Sequence, residues 1–299
     1  MLTKQQEEAL NYFKTHAEDW RSQINGLYRD RVNTLQQRSN YVLNITKEHD
    51  GINSCLDVGC GTGELVCEIA RRGIDSIGLD FAQEMIDLAN KKALDENLSK
   101  AKFICCSVFD FEIQNKNYDV ISANGFIEYI SHQEMNTFFD IVEKILYPGG
   151  HFVFSSRNRL FNLVSMNDFT LQEIESGNLE ILLKEAIRWN IAKDIKDVIG
   201  VNCSELQPPN IKHSNTGIDV STRYQYSPLQ LINLLNEKGL ETMDVYPVNI
   251  HCVTPSFCKS HPEIYVPFAN MMESYARGNT QLITNASTFM IHARKRRNK

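Results

Sequence analysis

Residues 54–66 read Ser54-Cys-Leu-Asp-Val-Gly-Cys-Gly-Thr-Gly-Glu-Leu-Val66, in which three alternate glycines separate an apolar run from an amphipathic one. Fixing a glycine costs more backbone entropy than fixing any other residue, so Gly59, Gly61 and Gly63 predict a backbone that a ligand approaches closely. The apolar run predicts a strand, and the residues from Gly63 onward predict a helix whose first N–H groups are free to bind a ligand. The stretch therefore predicts a ligand-binding turn between a strand and a helix.

Short apolar runs alternate with longer amphipathic segments on both sides of this turn. We predict strands at 54–58, 75–79, 103–106, 118–123, 151–155, 241–248 and 286–293, and helices at 63–72, 83–97, 133–146 and from 227 to 238. A strand–helix alternation of this kind is typical of a mainly parallel sheet with helices on both faces. The sequence thus predicts an α/β, doubly wound fold.

The composition and the spacing of charged and cysteine residues argue against several classes of protein. The 299 residues carry a net charge of −6, which disfavours nucleic acid as a partner. No apolar run approaches the roughly 18 residues that cross a bilayer, and the charged first thirty residues are unlike a signal peptide. The eight cysteines contain no CxxC pair, and Cys252, Cys258 and His261 match no strong zinc pattern. We therefore expect a cytoplasmic, non-membrane protein without a metal, as a monomer or homodimer.

The residue after the second predicted strand narrows the choice of ligand. Asp80 comes directly after that strand, where a carboxylate can accept hydrogen bonds from two ribose hydroxyls. A dinucleotide fingerprint would place its third glycine at position 64, where this chain has Glu64. Asp57, just ahead of the glycines, suits a ligand with an ammonium group better than a pyrophosphate. Two alternatives to an enzyme that uses a ligand with a ribose and an ammonium group remain open. They are a nicotinamide-dependent oxidoreductase and a non-catalytic binding module.

Four segments in order resemble class I S-adenosylmethionine-dependent methyltransferases. They are Asp57-Val-Gly-Cys-Gly-Thr-Gly63, Ile77-Gly-Leu-Asp80 with Met85-Ile86, Tyr118-Asp-Val-Ile-Ser-Ala-Asn-Gly-Phe-Ile-Glu-Tyr-Ile130, and Leu146-Tyr-Pro-Gly-Gly-His-Phe-Val-Phe154. The resemblance is strong over residues 50–156 and weaker over 227–294. It implies a seven-stranded sheet whose last strand is antiparallel, and S-adenosylmethionine as the cofactor, released as S-adenosylhomocysteine.

The resemblance also implies which residues hold the cofactor. Asp80 would bind the ribose and Phe81 would lie beside the adenine, while an N-terminal Tyr and Arg would close over the ligand. Where the family usually has Gly-Asp after the third strand, this chain has Cys106-Ser107, so the adenine contact would come from a hydroxyl. The residues implied for the cofactor are Tyr28, Arg38, Asp57, Gly59, Cys60, Gly61, Gly63, Asp80, Phe81, Met85, Ser107, Val108 and Asn124.

Methyl transfer from a sulfonium is an in-line displacement, which requires mainly the positioning of the acceptor and a base for an O–H or N–H acceptor. His251 and His132 are the candidate bases, although either could instead cap or pack. The candidate substrate-binding residues are Glu128, Arg157, Arg159, Arg223 and Tyr226, and the two arginines of 157–159 could equally form salt bridges to a cap. We predict O-methylation of a small molecule, with N-methylation as the alternative.

The domain organisation follows from where the alternation of strands and helices stops. Residues 1–50 read as an N-terminal helical lid and 51–156 as the Rossmann-like core that binds the cofactor. Residues 157–226 read as an inserted cap, in which we predict helical patches at 171–183 and 185–199. Residues 227–299 return to the core, with a second irregular insertion at 249–285.

Overall fold

A computed structural model describes residues 4–16, 31–111, 117–199 and 224–297. Within these residues, seven strands form one sheet in the spatial order β3-β2-β1-β4-β5-β7-β6. The strands are β1 (Ser54–Val58), β2 (Asp75–Asp80), β3 (Ala101–Cys105), β4 (Tyr118–Ala123), β5 (Leu146–Arg157), β6 (Leu240–Ile250) and β7 (Ala286–Lys295).

The first five strands pair in parallel, and β7 runs antiparallel to both β5 and β6. The strand order reverses between β1 and β4, which is the point where doubly wound sheets bind ligands beyond the carboxyl ends of their strands. The predicted doubly wound sheet of seven strands, with its last strand antiparallel, is confirmed.

Helices cover both faces of the sheet. They are α1 (Lys4–Thr15), α2 (Thr34–Glu48), α3 (Glu64–Arg71), α4 (Gln83–Asp95), α5 (His132–Ile145), α6 (Asn162–Ser165), α7 (Asp168–Glu175), α8 (Leu179–Ile191), α9 (Pro228–Glu237), α10 (Pro255–Ser260) and α11 (Pro262–Glu273). Alternate residues of β5 bury into two apolar cores: Phe152 and Phe154 face the side of α5 and α9, and Val153 faces the side of α2 and α3. No helix among these is both long enough and apolar enough to cross a membrane.

Three predicted boundaries need correction. The strand predicted at 151–155 begins at Leu146, because Leu146 pairs with Tyr118 before a register shift places His151 beside Val120. The helical patch predicted at 171–183 is two helices, α7 and α8, separated by a turn in which Gly177 adopts φ +71°. The helical patch predicted at 185–199 is too long, because α8 ends at Ile191.

The stretch 249–285, predicted to be irregular, contains the helices α10 and α11. Each begins with proline at its first position, Pro255 and Pro262, where the missing N–H costs nothing and the fixed φ suits a helix. The sequence signal for both helices is the proline that begins each of them.

Candidate functional site

A cavity lies at the carboxyl ends of β1, β2 and β4, beneath α1 and the start of α2. Ten of the residues predicted for cofactor or substrate line it: Arg38, Gly59, Gly61, Asp80, Phe81, Met85, Ser107, Val108, Asn124 and Glu128. They come from five separate segments of the chain, which the sheet topology brings to one edge.

The glycine turn has the backbone conformation that only glycine adopts without strain. Gly59, Gly61 and Gly63 have φ of +70°, +53° and +80°. The N–H groups of Gly59 and Cys60 donate to the carbonyl of Leu79, at 2.8 and 2.9 Å, which fixes the turn against β2. Gly59 and Gly61 line the cavity, so their backbone is available to a ligand.

Gly63 and Cys60 serve packing, and neither lines the cavity. A Cβ added to Gly63 would lie 2.6 Å from the ring of Phe103 and 2.8 Å from the Cβ of Ala89. The Cys60 side chain is buried against β2, where a Cβ on Gly78 would come within 2.7 Å of its sulfur. The third glycine thus lets α3 pack closely against α4 and β3.

The carboxylate of Asp80 holds the turn and also faces the cavity. One oxygen accepts the N–H of Gly61 and the other accepts the N–H of Ala82, each at 3.0 Å. Burial raises the pKa of Asp80, and these backbone donors oppose that shift. A carboxylate offers about four acceptor positions, so both oxygens retain capacity for a ligand's hydroxyl groups.

Asn124 shows that the cavity is built for a polar ligand. It follows the end of β4, and both its side-chain nitrogen and its side-chain oxygen are buried without a hydrogen-bond partner among the described residues. A buried polar atom without a partner costs about 1–3 kcal/mol. A bound molecule with both donor and acceptor groups would remove that cost, so the site fits such a ligand.

Opposite charges meet beside Asn124. The guanidinium of Arg38 donates to the hydroxyl of Ser155 at 3.3 Å, and the same hydroxyl accepts the N–H of Gly125 at 2.7 Å. A Cβ on Gly125 would lie 2.8 Å from Nη1 of Arg38 and 3.5 Å from Oε1 of the buried Glu128. Ser155 was not predicted as a site residue, and an isolated serine within a strand carries no sequence signal for this role.

Aromatic side chains from α1 and from the turn after β4 close the cavity. Phe13 and Tyr129 meet edge to face with their ring centroids 5.5 Å apart, and Ala9 packs in the same cluster with Phe81. Phe13 lies on α1, within the predicted helical lid, but the apolar pattern of a helix alone does not tell which of its residues reach a cavity.

Asp57 lies behind the glycine turn, outside the cavity lining. It is buried and accepts the hydroxyl proton of Ser122 at 2.6 Å. Burial raises the pKa of Asp57 to about 7. This carboxyl thus links β1 to β4.

The two candidate bases differ in their surroundings. Burial lowers the pKa of both imidazoles, that of His251 to about 4, so both are neutral at pH 7. His251 has Tyr265 Oη at 3.0 Å from Nε2 and Cys258 Sγ at 3.4 Å from Nδ1, so both nitrogens are engaged. His132 has Tyr226 Oη at 3.4 Å from Nδ1, while its buried Nε2 has no partner among the described residues. Neither ring lines the cavity.

Three predicted substrate residues also lie outside the lining. Arg159 forms a buried bidentate ion pair with Glu173, at 2.7 and 2.8 Å, with both side chains 1% exposed. This is the salt bridge to the cap that the sequence left open, and Arg159 is not among the residues that line the cavity. Arg157 ends β5, where its carbonyl accepts the N–H of the buried Tyr226 at 3.2 Å. Tyr28 and Arg223 lie outside the described residues.

Residues 55–150 match a family model described as a methyltransferase domain, a span that includes β1 to β4, the glycine turn and Asp80. Residues 55–150 are therefore a methyltransferase domain. The four motifs that carried the resemblance in the sequence begin inside this span, so the family expected from the residues is confirmed.

Curated relatives resemble the methyltransferase domain over part of their length. A ubiquinone biosynthesis O-methyltransferase from Vibrio atlanticus is 34% identical over 132 residues, which are 44% of this chain and 53% of that protein. The namesake from Acinetobacter baylyi is 30% identical over 129 residues, 42% and 53% of the two chains. The chain therefore spans about half the length of the curated relatives it matches.

Solved structures share the fold of the methyltransferase domain at low identity. Magnesium protoporphyrin IX methyltransferase from Synechocystis, with bound SAH, has a TM-score of 0.56 at 13% identity and covers 98% of this chain and 100% of its own. The [4+2]-cyclase SpnF has a TM-score of 0.57 at 18% identity, covering 99% and 97%. Since a protein named as a cyclase has this fold, the fold alone does not decide the reaction.

Proposed function

We propose that this chain transfers a methyl group from S-adenosylmethionine to an oxygen atom of a small molecule. The observation that carries the proposal is the cavity itself, which joins the glycine turn, Asp80 and the unpartnered amide of Asn124. The curated relatives named as O-methyltransferases support the choice of oxygen.

The lining divides into parts that suit the three parts of the cofactor. Asp80 would accept hydrogen bonds from the ribose hydroxyls, and the apolar Phe81, Met85 and Val108 would flank the adenine. Ser107 offers a hydroxyl to the adenine edge. When bound, S-adenosylmethionine supplies an electrophilic methyl group on a sulfonium.

The other end of the cavity suits an amino acid moiety. Arg38 can pair with its carboxylate, Glu128 with its ammonium, and the amide of Asn124 with either group. The positive charge of Arg38 and the negative charge of Glu128, both near Gly125, thus match the two charges of a zwitterionic amino acid moiety. The backbone of Gly59 and Gly61 would lie beside the same moiety.

A hydroxyl acceptor needs a group that takes its proton, and we assign this role to His132 rather than to His251. The free Nε2 of His132 can accept a proton, whereas both nitrogens of His251 already contact other side chains. Tyr226 Oη, near Nδ1, would hold the ring. His132 follows Ile130 of the cavity lining by two residues, so the proposal puts the acceptor on that side of the cavity.

A reducing, cytoplasmic setting is part of the proposal. The seven cysteines in the described residues are all free, as is usual where glutathione keeps thiols reduced.

Calorimetry with S-adenosylhomocysteine tests the cofactor site. Asp80→Ala should weaken binding by about 10- to 100-fold, since hydrogen bonds to a charged group contribute about 1.5–3 kcal/mol. Asp75→Ala is the matched control, because Asp75 is an exposed carboxylate at the opposite end of the same strand. Wild-type protein that does not bind S-adenosylhomocysteine, or an Asp80 variant that binds normally, would overturn the assignment.

Methyl transfer itself is tested with methyl-labelled cofactor and metabolite extracts, followed by mass spectrometry of the labelled products. The proposal expects a methyl ether, and His132→Asn should lower kcat while leaving the affinity for S-adenosylhomocysteine unchanged. His251→Asn is the comparison variant. Labelled methylamines in place of ethers would overturn the oxygen acceptor, and a larger loss of kcat in the His251 variant would overturn the choice of base.

A further inference from the structure

Three histidines meet on the face of the sheet that α2 covers. His151 lies on β5, His292 lies on β7, and His49 follows the last residue of α2. Nδ1 of His151 is 2.8 Å from Nε2 of His292, and the rings of His49 and His151 stack with centroids 4.2 Å apart. One ring nitrogen from each histidine lies within 4.8 Å of the other two.

Strand register and helix packing explain how residues so distant in sequence converge. His151 pairs with Arg294, and His292 pairs with Val153, so the two rings are diagonal neighbours on one face of the antiparallel pair. Tyr41, Val42 and Ile45 bury α2 against this face, which brings the helix end over the two strands. His151 and His292 are buried and His49 is half-buried.

We propose that His49, His151 and His292 bind a divalent transition-metal ion of the zinc class. Imidazole nitrogen is a preferred ligand for zinc, and three histidines with a water molecule complete a tetrahedron. A tetrahedral ion with bonds of about 2.0–2.1 Å holds its nitrogens about 3.3 Å apart, so the closest pair needs to open by about half an ångström.

A metal ion can replace the hydrogen bond between His151 and His292 without removing a proton from either ring. Each neutral imidazole has one N–H and one lone pair, so a short nitrogen–nitrogen contact requires one ring to donate to the other. A change of tautomer in the donating ring directs both lone pairs to a metal without releasing a proton. Two arginines act on the pair, Arg294 and Arg277. The guanidinium of Arg294 donates to the carbonyl of Gly149 at 3.0 Å, and that of Arg277 is paired with Glu48.

An ion can reach this cluster and would fasten α2 there. His49 lines a surface groove together with Thr46, Gly51 and Ile52, which gives a path from solvent. The first turns of α2 carry Leu35 and Arg38 of the cavity, so an ion at its last turn would fix the helix to β5 and β7. This role is separate from the proposed methyl transfer and does not depend on it.

The test uses the full chain, freed of metals with a chelator and titrated with Zn²⁺ against a chromophoric competitor. Wild-type protein should bind one ion that raises its melting temperature, and Co²⁺ should give the visible absorption of a four-coordinate site. His49→Ala should lose at least about tenfold in affinity, the lower range for disturbing a metal's surroundings. His261→Ala is the matched control, because His261 is also half-buried but lies outside the cluster.

Two results would overturn the metal site. One is wild-type protein that shows neither stoichiometric Zn²⁺ binding nor Co²⁺ absorption, which would leave the cluster as a packed histidine pair with a stacked neighbour. The other is a His49 variant, folded by circular dichroism, that binds Zn²⁺ as tightly as wild type does. Because the Co²⁺ spectrum is read on wild-type protein, the outcome does not depend on any variant folding.

Discussion

Gly63 and Gly73 form a natural pair for testing why the third glycine of the turn is required. Both have a left-handed backbone, with φ of +80° and +83°, and they flank the same helix, α3. A Cβ on Gly73 would have no heavy atom within 4 Å. A Cβ on Gly63 would lie 2.6 Å from two ring atoms of Phe103 and 2.8 Å from Ala89, closer than such atoms approach.

The expected magnitudes separate backbone strain from steric overlap. An L-residue in the left-handed conformation costs about 1–2 kcal/mol, so Gly73→Ala should destabilise the fold by about that amount. Gly63→Ala has the same strain and also forces methyl carbon into a packed interface, which typically adds about 1–3 kcal/mol. The Gly63 variant should therefore be less stable by about 2–5 kcal/mol relative to wild type.

Urea unfolding followed by circular dichroism, without cofactor, measures both variants under the same conditions. The midpoint should fall further for Gly63→Ala than for Gly73→Ala, with a similar dependence on urea in both, since the native surface is unchanged. Equal losses would refute the argument that Gly63 is required by packing against Phe103. They would return Gly63 to the role that the sequence implied, a direct contact with the cofactor.

Three further predictions use other parts of the structure. Gly61→Val should abolish binding of S-adenosylhomocysteine in calorimetry while the protein stays folded, because Gly61 lines the cavity; normal binding would place the ligand elsewhere. Because burial raises the pKa of Asp57 to about 7 from about 4 in an unfolded chain, the folded state retains a proton, so the contribution of Asp57 to the free energy of unfolding should fall from pH 4 to 7; wild type should therefore lose stability relative to Asp57→Asn across this range, and parallel profiles of the two proteins would contradict the shift. Glu173→Ala should cost about 3–5 kcal/mol in urea unfolding by removing the bidentate carboxylate partner of the buried Arg159, whereas Glu175→Ala, at an exposed position of the same helix, should cost at most about 0.5 kcal/mol.

Local patterns were sufficient to predict the sheet and the cofactor end of the cavity. The glycines at 59–63 are required by the backbone conformation of the turn, and Asp80 is positioned by the end of β2. Both features depend on only a few consecutive residues. The strands β1, β2 and β4 are five or six residues long and each carries Leu, Ile or Val near its centre, which is a local signal of a strand buried in a parallel sheet. These features can be read from a sequence because each depends on near neighbours in the chain.

Contacts between distant segments could not be predicted in this way. Ser155 joins the cavity only because β5 lies beside β4 and its hydroxyl meets Arg38 from α2. The histidine cluster combines positions 49, 151 and 292, so no motif spacing could reveal it. The sequence-based expectation of no metal rested on short spacings such as CxxC, which detect ligands on one loop but not ligands assembled from a helix end and two strands.

The same distinction explains why the cofactor is easier to infer than the acceptor. The family model covers the central strands, including the glycine turn and the carboxylate of Asp80, and the curated relatives match a segment of similar length. Proteins that bind the same nucleoside need the same turn and the same carboxylate. The acceptor end of the cavity is built by α1 and by residues after β4, and the cap behind it follows β5. Methyl transfer requires mainly that an acceptor be held about 3–3.5 Å from the methyl carbon. Many different sets of lining residues can meet that requirement. The choice of acceptor therefore depends on the shape of the cavity and on single side chains, and these must be found in the three-dimensional structure.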